Sequence, residues 1–325
     1  MLKKNKINIQ LLKKMCYSLI KIRKFEEKII ERYPDQKICC PVHLCIGQEA
    51  IAVGVCENLK KNDYLFSTHR NHGHLIAKGA DIKLMFAELY GKITGCSSGK
   101  GGSMHMIFPE NGILGTSAIV AGGIPMAVGS ALASKIKNEK RVSVTFFGDG
   151  AVDEGTFYES LNFAALKRLP VVFVCENNFY ATNSPQKARQ ANCDIYKIAK
   201  FFNIPGICVK GNDLFAVYRV AKESVNRARN GSGPSLIEAR TYRWRSHVGP
   251  ETDIEKGLRD KKEVEEWQAL CPYSCFRQAI LKNKLLKETD IIEIEQLVTN
   301  EIEEALEFAL KSPYPVADDL YKDVY

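Results

Sequence analysis

Three patterns in the 325-residue sequence hold residues able to do chemistry. The first is Gly148-Asp149-Gly150, followed after residues 151–176 by Asn177-Asn178. An Asp offers a hard anionic oxygen and an Asn a hard neutral one. That pair suits Mg2+, which keeps few protein ligands and takes the rest from phosphate and water. Gly150 and Ala151 are expected at the start of the next helix, where free N–H groups and the positive dipole end favour a phosphate. Asp153 and Glu154 also suit a helix start, on structural grounds alone. The second pattern is histidine: His43, His69, His72, His74, His105 and His247, with three of the six inside 69–74 beside Arg70. An Arg fork donates two bonds at once to a phosphate. A metal site within 69–74 is the sharper alternative, although no carboxylate partner is evident, and packing alone accounts for any one histidine. The third is Arg243-Trp244-Arg245-Ser246-His247 before Gly249-Pro250. A loop beyond a strand end with a histidine suits a cofactor or substrate contact, and equally a solvated basic turn.

These residues need a scaffold that brings them together. Residues 141–147 (RVSVTFF) and 171–176 (VVFVCE) read as strands buried on both faces. A helical pattern over 153–168 lies between them and stops at Leu169-Pro170. A short strand at 207–210, a helix over 214–228 and a strand at 235–240 continue the alternation. Such alternation implies βαβ units and a parallel sheet. Asp149 and Asn178 then sit at the carboxyl ends of successive strands, where open parallel sheets bind ligands. Upstream, the pattern predicts helices over 8–33, 48–59 and 81–90 and a strand at 64–67. The glycines between 91 and 123 suggest backbone approaching something closely, or a mobile loop. Near the C-terminus, Asp290 and Glu293 resemble a capping pair before a helix that Pro313 ends. The expected fold is α/β, a doubly wound, mostly parallel sheet with helical extensions at both ends. The expected bounds are 1–60, 61–260 and 261–325.

Composition narrows the class. Hydrophobic residues are 45% and charged residues 26%, which excludes a disordered chain, a collagen-like chain and a coiled-coil rod. No stretch approaches ~18 uninterrupted apolar residues, so no membrane span is expected. The net charge of +8 is local: residues 1–24 hold eight basic residues and no acidic one, leaving 38 basic against 38 acidic elsewhere. A nucleic-acid groove would need clustered charge beyond that segment. The segment reads as an amphipathic helix with Leu11, Leu12, Met15, Leu19, Ile22 and Phe25 on one face, able to dock a partner. Lys13 and Lys14 interrupt any signal-peptide core, and the segment is poor in Arg and Ser for a transit peptide. The expected compartment is the cytoplasm, assuming a prokaryotic source. The 11 cysteines form no C-x-x-C pair and suit reduced, mostly buried thiols. Cys271 and Cys275 alone cannot complete a zinc site.

The GDG and NN elements resemble the thiamin diphosphate signature. The likeness extends through HLCIGQEA (43–50), STHRNHGH (67–74), GKGGSMHM (99–106), GILG (112–115), FFGDGAVDEG (146–155), LPVVFVCENNFYA (169–181) and IEARTYRWRSH (237–247). Together these are similar to the alpha subunit of 2-oxo acid and acetoin dehydrogenases, from about residue 10 to residue 310. Residues 67–79 look closer to the acetoin type, since pyruvate-type chains tend to have Tyr where His69 stands. The resemblance implies a thiamin diphosphate-binding fold. It implies Mg2+ held by Asp149, Asn178 and the Tyr180 carbonyl, with His69 and Arg70 bordering the cofactor. His72 is implied to face the substrate and His247 the diphosphate, with Gly112 and Leu114 at the aminopyrimidine. Lys100 to His105 are implied to lie near the active-site channel. Animal pyruvate-type chains carry a regulatory Ser just after the loop histidine; Val248 stands there, so kinase control at that position is not expected. The cofactor attacks a carbonyl and stabilises the resulting carbanion, which requires a carboxylate on its aminopyrimidine. No second α/β domain precedes residue 141, so that carboxylate is expected from a beta subunit in an α2β2 assembly. The implied activity is decarboxylation of a pyruvate-like 2-oxo acid, or cleavage of acetoin, with acyl transfer to a lipoyl-bearing acyltransferase. A non-oxidative acyloin-forming or aldehyde-transferring lyase is the alternative. A non-catalytic scaffold subunit is a third, which intact Asp149, Asn178, Arg70 and His247 disfavour.

Overall fold

A computed structural model describes residues 8–322. Lys3, Lys4 and Lys6 of the basic segment lie outside the described residues. Strands β1 (Tyr64–Ser67), β2 (Ile113–Thr116), β3 (Ser143–Gly148), β4 (Val171–Asn177), β7 (Gly206–Lys210) and β8 (Ser235–Arg240) form one sheet in the order β2-β1-β3-β4-β8-β7. Every pairing in it is parallel. A small antiparallel hairpin of β5 (Tyr180–Ala181) and β6 (Ser184–Pro185) stands apart from it. A parallel sheet needs cover on both faces, and the strand sequences show it. Val144, Phe146, Val172 and Val174 point into one hydrophobic cluster. Phe147, Val171, Phe173 and Cys175 point into the other.

Helices α1 (Ile9–Arg32), α2 (Glu49–Cys56), α3 (His72–Lys78) and α4 (Ile82–Leu89) belong to the first face. So do α9 (Leu214–Arg229), α11 (Pro272–Lys282) and α12 (Glu288–Lys311). Helices α5 (Gly123–Ile136) and α6 (Gly155–Leu166) cover the second, where the short helix α8 (Ile198–Phe201) joins them. Short α7 (Gln186–Arg189) follows the β5–β6 hairpin, and α10 (Lys261–Ala269) follows the loop after β8. The doubly wound α/β class expected from the sequence is the fold observed.

Three expectations change. The helix after Gly148-Asp149-Gly150 starts at Gly155, because Glu154 is extended at φ −87° and ψ 136°. Gly150 and Ala151 lie in a separate 3-10 turn, Asp149–Asp153. Helix α12 starts at Glu288, and Asp290 accepts the Lys287 N–H at 2.9 Å, so Asp290 and Glu293 are not its capping pair. The basic face of α1 is turned to the chain's own acidic helix α12 and to α2. Lys13 pairs with Asp290 (2.7 Å), Lys21 with Glu301 (3.0 Å), Lys28 with Glu303 (2.7 Å) and Lys14 with Glu57 (2.8 Å).

The glycine-rich stretch is also resolved. Glu88, 1% exposed on α4, accepts backbone N–H bonds from Ser97 (2.8 Å), Gly99 (3.0 Å), Gly101 (2.8 Å) and Gly102 (3.0 Å). A Cβ at Gly95 would stand 2.3 Å from Glu88 Oε2. The close approach is to an internal carboxylate.

Candidate active site

Outside the carboxyl ends of β1, β3 and β4 lies a cleft of about 460 Å³. Its lining includes His43, His69, Arg70, Asp149, Asn178 and His247. Strands β3 and β4 run in register to Gly148 opposite Glu176, which brings Asp149 and Asn178 to one rim. Asp149 is 1% exposed. Burial pushes its carboxyl up, opposed by the Arg189 guanidinium, which ion-pairs with it. Asn178 donates to Gln48 Oε1 at 3.1 Å and accepts the Tyr180 N–H at 3.3 Å. Phe179 between them has φ +68°, a left-handed conformation uncommon outside glycine, and this kink turns Tyr180 back toward the cleft. Gly150 permits the close approach of the 3-10 turn to the hairpin, since a Cβ there would lie 2.8 Å from Ala181 Cβ.

The opposite wall is cationic. Arg70, 5% exposed, donates to the carbonyls of Leu44 (2.7 Å) and His247 (3.3 Å). Among the described residues no carboxylate pairs with it, and burial disfavours its charge. Beside it His43, His69 and His247 stand with ring centroids 4.5–5.1 Å apart. Burial, then the Arg70 charge, pulls their pKa values down to about 2, 3 and 4. All three are therefore neutral at pH 7. Their ligand-type nitrogens lie within 4.8 Å of one another. Arg70 Nη2 stands 3.5 Å from His247 Nδ1, so a cation placed there would face a guanidinium, whereas an anion would be attracted. Among the described residues, the buried His43 Nδ1 and Gln48 Nε2 have no hydrogen-bond partner. The Gln48 amide N–H, and His43 Nδ1 when it carries the ring proton, beside the Arg70 guanidinium fit an anionic ligand with oxygen acceptors.

Other expected site residues lie elsewhere. His72 is fully buried, with Nδ1 2.7 Å from Glu26 and Nε2 2.9 Å from Ser103 Oγ. Both ring nitrogens are engaged behind the cleft, so in this geometry it does not face a substrate. Glu26 also accepts the Cys45 N–H at 2.6 Å, tying His72 to the segment that carries His43. Gly112 lies at the amino end of β2, away from the cleft, and Leu114 packs against the second core cluster. The same stretch contributes Ser117 to Ala121 to the cleft wall instead. His105 is exposed, while its neighbour Met104 lines the cleft. Of the three histidines in 69–74 only His69 reaches the cleft. His74 is clasped between Ser67 Oγ (2.8 Å) and Glu176 (3.2 Å) and stacks on Phe146.

His43, Gln48 and Arg189 were given no role from the sequence. His43 and Gln48 sit in HLCIGQEA, yet nothing in their spacing reveals that Gln48 meets Asn178 across 130 positions.

The sequence from residue 17 to residue 318 matches the family model of the dehydrogenase E1 component, so the chain belongs to that family. The family comprises thiamin diphosphate-dependent oxidoreductase chains acting on an oxo or aldehyde group, as the sequence motifs led us to expect. The chain is 47% identical to the alpha subunit of acetoin:2,6-dichlorophenolindophenol oxidoreductase from Bacillus subtilis, over 96% of this chain and 92% of that one. It is 40% identical to the chloroplastic pyruvate dehydrogenase E1 component subunit alpha-3 of Arabidopsis thaliana, over 93% of this chain and 72% of that one. The Rickettsia felis pyruvate dehydrogenase E1 component subunit alpha is 39% identical over 94% and 93%. No described helix is long and apolar enough to cross a membrane.

Proposed function

We propose that this chain is the alpha subunit of an E1 dehydrogenase that holds thiamin diphosphate with Mg2+ in the cleft and takes an acetyl unit from pyruvate or acetoin. The observation that carries this reading is Arg70, a buried guanidinium with no carboxylate partner among the described residues, facing a cleft whose other rim offers Asp149 and Asn178. An anion with a divalent ion satisfies both rims at once. Arg70 and the His43, His69 and His247 donors hold the diphosphate. Asp149, the Asn178 side chain and the Tyr180 carbonyl hold Mg2+, and Gly150 and Ala151 line the diphosphate end.

When bound, the cofactor supplies the carbon nucleophile and the electron sink. The chain's own residues bind and orient. The neutral histidines donate or accept a proton at a ring nitrogen close to the diphosphate, and the burial of Arg70 and Asp149 keeps their fields unscreened by water. The aminopyrimidine carboxylate comes from a beta subunit in an α2β2 assembly, and a lipoyl-bearing acyltransferase receives the acyl unit. One relative named for acetoin is 47% identical, above the 40% and 39% of those named for pyruvate, while a second named for acetoin is 38%, so acetoin and pyruvate are tested side by side, acetoin first.

The test is co-expression with a beta-type chain, followed by acetoin- and pyruvate-dependent bleaching of 2,6-dichlorophenolindophenol, the acceptor in the relative's name. Bleaching that requires thiamin diphosphate, Mg2+ and both chains is expected. An assembled complex that takes up no thiamin diphosphate would refute the reading.

A further inference from the structure

Arg189 has no place in the motifs above, yet it makes the most direct contact with the proposed metal rim. It is the last residue of α7. Its guanidinium bridges two carboxylates: Nη2 bonds Asp149 and Nη1 bonds Asp153. Its neighbour Gln190 repeats the pattern, donating Nε2 to the Asp149 carbonyl at 3.0 Å and to Asp153 Oδ1 at 2.8 Å. Arg189 also reaches back to the Ser184 carbonyl at 3.4 Å. Two adjacent residues thus clamp the segment 184–190 onto the rim. Arg189 and a divalent ion would compete for one carboxylate, because two cations sharing Asp149 repel each other.

We propose that Arg189 is the resident counter-cation of Asp149, and that binding of a divalent ion with its diphosphate displaces it outward onto Asp153, so that loading the cleft and freeing Arg189 from Asp149 are one event. This rests on the thiamin diphosphate reading above. The clamp has a thermodynamic purpose. A carboxylate that is 1% exposed is costly without a positive partner. Arg189 supplies that partner until the ion arrives. Asp153, on the outer side, is about one-third exposed (34%) and can hold the released guanidinium within the same ion-pair geometry. The hairpin stays anchored meanwhile, because Gln186 remains bonded to Phe179 O at 2.7 Å and to Asn177 at 3.1 Å.

The experiment uses the chain assembled with its beta partner and titrates thiamin diphosphate at several Mg2+ concentrations by calorimetry. In Arg189→Gln we expect the Mg2+ concentration for half-saturation to fall about tenfold, the equivalent of one charge-assisted hydrogen bond no longer broken on loading. The cofactor-free midpoint should fall as well. Arg189→Lys, which restores a cation, should return the Mg2+ requirement toward wild type. A merely structural ion pair would lower the midpoint and leave the Mg2+ requirement unmoved, which overturns the proposal, as does weaker binding in Arg189→Gln. Wild type alone gives a second measure: modification of Arg189 by a dicarbonyl reagent, read by mass spectrometry, should rise when Mg2+ and thiamin diphosphate are added. Unchanged modification in a complex that binds the cofactor overturns the proposal. A wild-type complex that binds no cofactor at all defeats the functional reading instead.

Discussion

Replacing Glu88 by Gln isolates what organises the loop before the cleft. Each carboxylate oxygen serves two backbone donors: Oε2 takes Ser97 and Gly99, and Oε1 takes Gly101 and Gly102. An amide of the same shape keeps one oxygen and turns an NH2 group toward the other pair. Two buried N–H groups then face a donor. Each unsatisfied buried donor costs about 1–3 kcal/mol, so the variant should lose about 2–6 kcal/mol of stability. The loop has little room to escape, because Gly95 packs directly on the Glu88 backbone and side chain. The damage should spread, since Ser103 at the loop's end bonds His72 and accepts from Asn71 at 2.8 Å, next to Arg70. Urea unfolding followed by circular dichroism gives the stability, and a thiamin diphosphate titration on the same samples gives the effect on the cleft. Glu307→Gln, at an exposed i,i+4 pair, is the control and should change neither. A Glu88→Gln loss below about 1 kcal/mol would show that the four bonds do not hold the loop.

Three further outcomes follow from the cleft. Arg70→Met should weaken thiamin diphosphate binding by about thirtyfold or more, as expected for losing a buried charge partner, while the unfolding midpoint falls far less; equal losses in both would mean that Arg70 is structural. Gly150→Ala should weaken cofactor binding through the 2.8 Å approach to Ala181, and its overpacking should cost about 1–3 kcal/mol in urea unfolding; normal binding would place the diphosphate elsewhere. His43, His69 and His247 have folded pKa values of about 2, 3 and 4, below the ~6.5 of the unfolded chain. The unfolded chain therefore takes up protons first, so their contribution is fully present above about pH 6.5 and is lost as pH falls toward the folded values. The midpoint should drop between about pH 7 and pH 5.5, with a shallower drop in His69→Tyr, and a flat profile would contradict the neutral cluster.

The legible parts of the sequence were those with an uninterrupted local signal. Residues 141–147 and 171–176 read as strands because a sheet covered on both faces demands continuous apolar runs, and α1 read correctly from its apolar stripe. Helix α3 was missed because His72-Gly73-His74 breaks any stripe, and α5 because Gly123, Pro125 and Gly129 mask a helix that packs through small residues. Strand β2 has only four residues at the sheet edge. The Asp149–Asn178 rim was legible because the strand-end rule converts spacing into proximity. The cationic wall was harder, since His43, His69 and His247 meet only after three separate loops converge. That His72 is buried was not legible because its partners, Glu26 and Ser103, are remote in sequence, and sequence alone does not distinguish a buried ring from an accessible one.

The clasp between α1 and α12 bears on how the chain is made. Leu19, Ile22 and Phe25 leave the ribosome well before Val298, Ile302 and Leu306, which share their hydrophobic cluster. The part of the α1 seam that α12 covers stays open while the residues between the two helices are made, and during that interval a chaperone has a ready target. Closure can come only once acidic α12 is released, so a product terminated before it lacks the piece that seals α1 and presents that seam to the proteolytic machinery.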